Sequence, residues 1–224
     1  MNEAEVKTIA QGQDSALAVN KVLRNTYMLL SMTLFFSAIC AVATMMLNVS
    51  QGMGFVMLIG GFITSFVVQA TARSSKGLFW VFVFAGLMGG AIGPTISAYI
   101  QAYANGSMIV AQSLGGTALI FLSLSGYALT SGKNFSYLGG FLMTGLIVAI
   151  VAMIANIFLQ IPALSLAVSS AVILIMSGFI LFDTSRIING GERNYILATI
   201  SLYLSLFNIF IHLMHLLGAL TGRE

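Results

Sequence analysis

The chain has 224 residues, of which 58% are hydrophobic and only 7% are charged. Soluble domains carry about 25% charged residues, so this composition excludes an ordinary soluble fold. The net charge of +3 comes without a basic patch, which argues against a nucleic-acid partner, and the single cysteine excludes a disulfide framework or a cysteine-based metal site within one chain.

The chain begins with a polar segment, residues 1–25, that we predict to be a flexible tail. An apolar run follows at residues 26–47. This run is longer than the roughly 7–15 residues of a signal-peptide core, so we interpret it as a first membrane helix.

Six further apolar runs each approach the roughly 20 residues that a helix needs to cross a bilayer. They are predicted at residues 53–71, 77–100, 107–131, 135–158, 163–182 and 195–220. Because the runs are continuous rather than alternating, they indicate helices and not barrel strands. We therefore predict an all-α integral membrane protein, with seven transmembrane helices in residues 26–224 and connections too short to form another folded domain.

Small residues and one proline mark places where these helices are expected to pack closely. Glycine pairs recur in the predicted helices, and such positions let backbones approach each other in lipid. Pro94 in helix three frees a backbone carbonyl that neighbouring groups must satisfy.

Positive charge alternates across the connections. If the N-terminus is cytoplasmic, that side carries nearly all of the basic residues, namely Lys7, Lys21, Arg24, Arg73, Lys76, Lys133, Arg186 and Arg193. The opposite side then carries only Arg223. The positive-inside rule therefore predicts a cytoplasmic N-terminus and a C-terminus on the outer, periplasmic side.

Helix seven carries a line of polar residues along its length. Their spacing of four, three, four and three places them on one helical face: Ser201, Ser205, Asn208, His212 and His215. Polar groups are costly against lipid, so this face must look into the protein, which predicts a central helix seven. Candidate partners lie on helices four and five: Ser113, Thr117, Asn156 and Gln160.

Two interpretations of this polar face stay open. The groups either hydrogen-bond between helices, which the residue types favour, or line a water-accessible route for an ion. His212 and His215 are compatible with metal ligation by spacing, but no carboxylate or cysteine lies near them in sequence. Interfacial histidines are therefore favoured, and a metal site is left unknown.

Asp183 is the acidic residue that directly follows an apolar run, at the predicted end of helix six. One interpretation is an interfacial charge paired with Arg186, one turn later. The other is a titrating gate that couples pH or an ion to helix movement, with the Gly190–Gly191 pair permitting the reorientation.

Several segments together carry a family likeness. FDTSRI, followed by SLYLSLFNIFIHLMHLLG, resembles the closing signature of the Bax inhibitor-1 (TMBIM) membrane proteins, and specifically their bacterial YccA-like branch. The likeness extends through KVLRNTY, the Gly93–Pro94 pair, LGGTAL, SYLGG and ANIFLQIPAL. It implies a seven-helix fold with helix seven at its centre, in the bacterial inner membrane.

For several family members, the resemblance implies a calcium or cation leak gated by a pH-sensitive pair of aspartates on helices six and seven. Asp183 matches the first aspartate, whereas the second falls at Ser205, which is not acidic. A single carboxylate is a weaker calcium site than several oxygen ligands. Arg73 is a loose match to an arginine that stabilises the closed pair in some relatives.

For the YccA-like branch, the resemblance implies binding and modulation of the membrane-bound AAA+ protease FtsH, with residues 1–25 as its cytoplasmic handle. We take this as the first hypothesis and a pH-sensitive calcium or cation leak gated at Asp183 as the alternative. No HExxH or GxSxG motif and no paired membrane aspartates are present in the sequence, so we predict neither an enzyme nor a cofactor.

Overall fold

The computed structural model describes residues 3–222, with side chains from Leu17 onward. This range contains seven α-helices and no strand: α1 Glu3–Met46, α2 Gln51–Thr71, α3 Lys76–Ala102, α4 Gly106–Ser131, α5 Leu138–Leu159, α6 Pro162–Ile188 and α7 Tyr195–Thr221. Every helix has a segment long and apolar enough to cross a membrane. The predicted all-α fold with seven membrane helices is confirmed.

α7 lies at the centre of the bundle. It packs against α1, α2, α3, α4 and α6, whereas α5 packs only against α6. α3 and α7 have the largest buried share among the seven spans, at 56% each, and α5 has the smallest, at 11%. The central position predicted from the polar face of helix seven is therefore confirmed.

Two helices extend well beyond the predicted runs. α1 begins at Glu3, so the segment predicted as a flexible tail is helical from that residue; its flexibility stays a prediction. α6 continues past Phe182 to Ile188, which places Asp183 inside the helix rather than at its end. Hydrophobicity falls after Phe182, yet the helix continues, and the Asn189 side chain donates to the Ser185 carbonyl at its C-terminal end at 2.8 Å.

α5 begins later than expected. The segment before Leu138 was predicted to be helical from Phe135, but it forms a turn instead. The Ser185 hydroxyl accepts the Phe135 backbone N–H at 2.8 Å. This bond holds the connection between α4 and α5 against α6.

The crossing of α1 and α3 is the tightest contact between helices that the glycines mediate. A Cβ on Gly89 would lie 2.3 Å from the Ser37 carbonyl oxygen, and one on Gly93 would lie 2.5 Å from the Ala41 carbonyl oxygen. Both approaches are far inside van der Waals contact. The prediction that glycines permit close helix packing therefore holds at Gly89 and Gly93. It does not hold at Gly115 or Gly140, where a Cβ would meet no described atom within 4 Å.

The backbone break at Pro94 is satisfied as the sequence predicts. A proline at this position cannot donate to the carbonyl four residues earlier, which is that of Gly90. The Thr44 hydroxyl donates to this carbonyl at 3.0 Å. The Gln51 side chain donates to the carbonyl of Pro94 itself at 2.7 Å.

A buried hydrogen-bond chain joins α7 to α1 and α3 in the bundle interior. The Tyr203 hydroxyl lies 2.5 Å from the Ser37 hydroxyl, which donates to the Ala85 carbonyl at 2.6 Å. Because Ser37 uses its hydrogen on the carbonyl, Tyr203 is the donor to Ser37. Tyr203 also packs edge-on against Phe84 and is 2% exposed.

Candidate functional site

Asp183 is a buried carboxyl group that faces α7. It is 6% exposed, and the Ser201 hydroxyl donates to its Oδ2 at 2.5 Å. The antiparallel geometry explains the pairing. At a rise of 1.5 Å per residue, Asp183 lies about 7.5 Å before the last residue of α6, and Ser201 lies about 9 Å after the first residue of α7. The two residues are therefore at a similar depth below the connection between the helices.

A cavity of about 290 Å³ adjoins this carboxyl group. Asp183, Arg186, Glu192 and Ser201 are among the residues that line it, and Gln69 of α2 closes one side. Arg186 does not pair with Asp183 but with Glu192, at 3.6 Å between Nη2 and Oε2, and its guanidinium lies over the Phe182 ring. A carboxyl group, a hydroxyl and an ion pair therefore share one small space.

The connection between α6 and α7 is held in place by its own hydrogen bonds. Gly190 follows the end of α6 with φ +71°, a conformation that suits glycine. The Gly191 and Glu192 N–H groups donate back to the Arg186 carbonyl at 2.8 and 3.1 Å. The glycine pair thus closes the end of α6 in this structure, and its role in a reorientation of the helices stays a prediction.

The remaining predicted gate residues do not meet Asp183. Ser205 is buried one turn beyond Ser201, and the α7 hydroxyl that contacts Asp183 is Ser201 instead. Asn208 donates to the Leu204 carbonyl of its own helix at 2.8 Å. The exposed Arg73 lies on the connection between α2 and α3 and lines a different groove.

A second polar cluster lies near the other end of α7. The Nδ1 atoms of His212 and His215 lie 3.1 and 3.0 Å from the hydroxyl oxygen of Ser169 on α6, and Nε2 of His215 lies 3.5 Å from Ser165. One hydroxyl has a single hydrogen, so it can donate to only one of the two Nδ1 atoms, and at least one imidazole must donate to it from a protonated Nδ1. Both histidines line a cavity of about 380 Å³ that also contacts Asn156.

The polar partners of α7 differ from those predicted on helices four and five. Ser113 and Thr117 donate to carbonyls of their own helix, and Asn156 accepts the Ile161 N–H. At both ends of α7 the partners come from α6 instead. This supports hydrogen bonding between helices as the main role of the polar face.

Sequence reasoning missed three residues of these clusters: Ser165, Ser169 and Glu192. Serines within an apolar run carry no pattern of their own, so the first two gave no usable signal. Glu192 was visible as the acidic residue of the connection, but its pairing depends on where α6 ends. Among the residues with described side chains, no group of three His, Cys, Asp or Glu is placed to hold a metal ion.

Comparison with known proteins assigns the chain to a family. Residues 19–222 match the family model described as "Inhibitor of apoptosis-promoting Bax1". The chain belongs to the Bax inhibitor-1 family. The match covers almost all of the described range, including both polar clusters of α7.

Individual relatives agree with this assignment. The chain is 50% identical to an uncharacterized membrane protein of Vibrio cholerae over 94% of this chain and 95% of that protein. It is 49% identical to "Modulator of FtsH protease YccA" of Escherichia coli K12, over 91% and 92% of the two chains. The same identity relates it to "Inner membrane protein YccA" of E. coli O6:H1. Together with the seven membrane-spanning helices, these relatives indicate that the present chain is a multi-pass inner membrane protein.

Proposed function

We propose that this protein binds the membrane-bound AAA+ protease FtsH and modulates its action on other membrane proteins. The observation that carries the proposal is the 49% identity to the E. coli modulator of FtsH over 91% of this chain. The identity spans nearly the whole of both proteins, and the family match covers residues 19–222, so the likeness takes in the seven-helix bundle.

The shape of α1 supports the same proposal. α1 has 44 residues, which at 1.5 Å per residue is about 66 Å, roughly twice the hydrocarbon thickness of a bilayer. The other connections are short, so this N-terminal extension is the longest segment available to a partner outside the membrane. With the N-terminus in the cytoplasm, as the charge distribution favours, the extension would face the side from which we expect the protease to draw its substrates.

Affinity purification from native membranes tests the proposal. The full chain, a variant without residues 1–19 and a variant with those residues replaced by an equally long Gly/Ser segment are each isolated and probed for FtsH. We expect FtsH to co-purify with the full chain and to be reduced in both variants. Absence of FtsH from the full-chain sample, together with turnover indifferent to the deletion, would contradict the proposal.

A cation leak gated at Asp183 is the second candidate, favoured by the buried carboxyl group beside a cavity that also contains Glu192. Proteoliposome calcium flux compares the unmodified protein with Asp183→Asn and Ser205→Asp. Flux that depends on Asp183 would support the leak. Flux that is absent, or that is unchanged in Asp183→Asn, removes it.

A further inference from the structure

A groove at the Asp183 end of the bundle gathers positive charge between two interhelical connections. It has a volume of about 660 Å³ and runs between the α2–α3 connection and the start of α7. Arg73 and Arg193 line it together with Ser74 and Ser75, and Tyr195 lies at its apolar side. Both arginines are exposed.

The walls of this groove are fixed by hydrogen bonds. The Asn194 side chain accepts the Ile196 and Leu197 N–H groups at the start of α7, and it donates to the Ala72 carbonyl at 2.9 Å. One residue thus ties the two connections together. Gly77 brings the first turn of α3 so close to α2 that a Cβ there would lie 2.7 Å from the Thr71 carbonyl oxygen.

The charge in the groove is net positive. Glu192 also lines it, but this carboxylate is paired with Arg186. Arg193 is positioned by a 3.4 Å bond from its Nε to the Gly190 carbonyl, and within residues 17–222 no hydrogen bond or ion pair engages the Arg73 side chain. Ser74 already donates its hydroxyl hydrogen to the Thr71 carbonyl at 3.0 Å. Two guanidinium groups and the Ser75 hydroxyl therefore line the same space, a donor set suited to a phosphate group.

The position of the groove indicates which kind of molecule would carry such a phosphate group. α2 ends at Thr71, α3 begins at Lys76 and α7 begins at Tyr195, so the groove lies where three membrane helices reach the lipid headgroup level. Tyrosine and basic residues at such a level are typical of a membrane interface. We propose that this groove binds the headgroup of an anionic phospholipid, with Arg73 and Arg193 on its phosphate.

The intrinsic tryptophan fluorescence of the chain can report lipid binding at this groove. Trp80 is the single tryptophan of the sequence and lies one helical turn after Lys76 on α3. The full chain is reconstituted with brominated phosphatidylglycerol or brominated phosphatidylcholine at equal mole fraction, and quenching of Trp80 fluorescence is measured. Each arginine near an anionic surface contributes a preference of about fivefold for an anionic lipid, so the two together contribute about 25-fold.

We expect stronger quenching by the brominated phosphatidylglycerol and loss of about tenfold or more of this preference in the Arg73→Gln/Arg193→Gln double variant. Lys133→Gln, at the same end but outside the groove, is the matched control and should keep the preference. Equal quenching by the two lipids in the unmodified protein would overturn the proposal. So would an equal loss in Lys133→Gln, or a preference abolished by added inorganic phosphate, which would indicate a soluble phosphate site instead.

Discussion

The two ends of α7 use the same neighbour for different chemistry. At one end α6 supplies a carboxyl group, Asp183, that takes a single hydroxyl from α7. At the other end α6 supplies a hydroxyl, Ser169, that serves two imidazoles of α7. α6 therefore supplies the polar partners at both ends of α7, and we expect the loss of the contact at the Asp183 end to cost more stability than the loss of the contact at the Ser169 end.

Between these ends the bundle is closed by packing. Leu202, Tyr203 and Ile209 of α7 are at most 2% exposed, and Tyr203 is tied to Ser37 on α1. This closed centre separates the two cavities in the structure. Ser37 also packs against Gly89 of α3, so a substitution at Gly89 should disturb this closed centre.

Gly89→Val should have the largest effect on stability. The added side chain would enter the space occupied by the Ser37 backbone, since even a Cβ would lie 2.3 Å from its carbonyl oxygen. Overpacking of this kind costs about 1–3 kcal/mol and occasionally more, and we expect the upper part of that range. Thermal unfolding in detergent measures it.

Gly140→Val is the matched control, because a Cβ there meets no described atom within 4 Å. Comparable destabilisation by the two substitutions would contradict the close approach of α1 and α3.

Ser201→Ala should have the next largest effect, because it leaves the buried Asp183 Oδ2 without its hydroxyl donor. Hydrogen bonds to charged groups contribute about 1.5–3 kcal/mol, and we expect a loss in the lower half of this range. The free energy of unfolding is compared with that of Ser205→Ala, another buried serine one turn further along α7. A larger loss in Ser205→Ala would place the functional contact at the position first expected from the sequence.

The sequence predicts the helices and the central position of α7 but not the side-chain partner of Asp183. The apolar runs predict seven helices, and the polar spacing on α7 predicts a central helix, because both depend on local periodicity. The pairing of Asp183 with Ser201 instead of Ser205 depends on where α6 ends. Hydropathy alone placed that end near Phe182, whereas α6 continues to Ile188, where the Asn189 side chain donates to the Ser185 carbonyl of its last turns.

Ser169→Ala should have a smaller effect on stability and a specific spectroscopic one. Hydrogen bonds between membrane helices average about 0.6 kcal/mol, so we expect a loss of about 1 kcal/mol for the two imidazole contacts. Nitrogen NMR should show at least one of the two histidines protonated at Nδ1 in the unmodified protein. The variant should lose this fixed protonation at Nδ1.

Ser170→Ala is the control for this prediction, because the Ser170 hydroxyl donates to the Leu166 carbonyl of its own helix. If neither histidine is protonated at Nδ1 in the unmodified protein, or if the tautomers are unchanged in Ser169→Ala, Ser169 does not join them.

Arg186→Gln should have the smallest effect. The ion pair with Glu192 joins side chains that are 37% and 20% exposed, and pairs in contact with solvent contribute about 0–1 kcal/mol. We expect less than about 1 kcal/mol, reduced further by added salt. A loss larger than that of Ser201→Ala would show that Arg186 stabilises Asp183 rather than Glu192.

The proposed modulation of FtsH can be measured in a reconstituted degradation assay. Purified FtsH and a membrane-protein substrate are placed in liposomes with the full chain, with the chain lacking residues 1–19, or alone. We expect the full chain to slow degradation of the substrate and the truncated chain to slow it less. An unchanged degradation rate at saturating amounts of the full chain would rule out the proposed modulation.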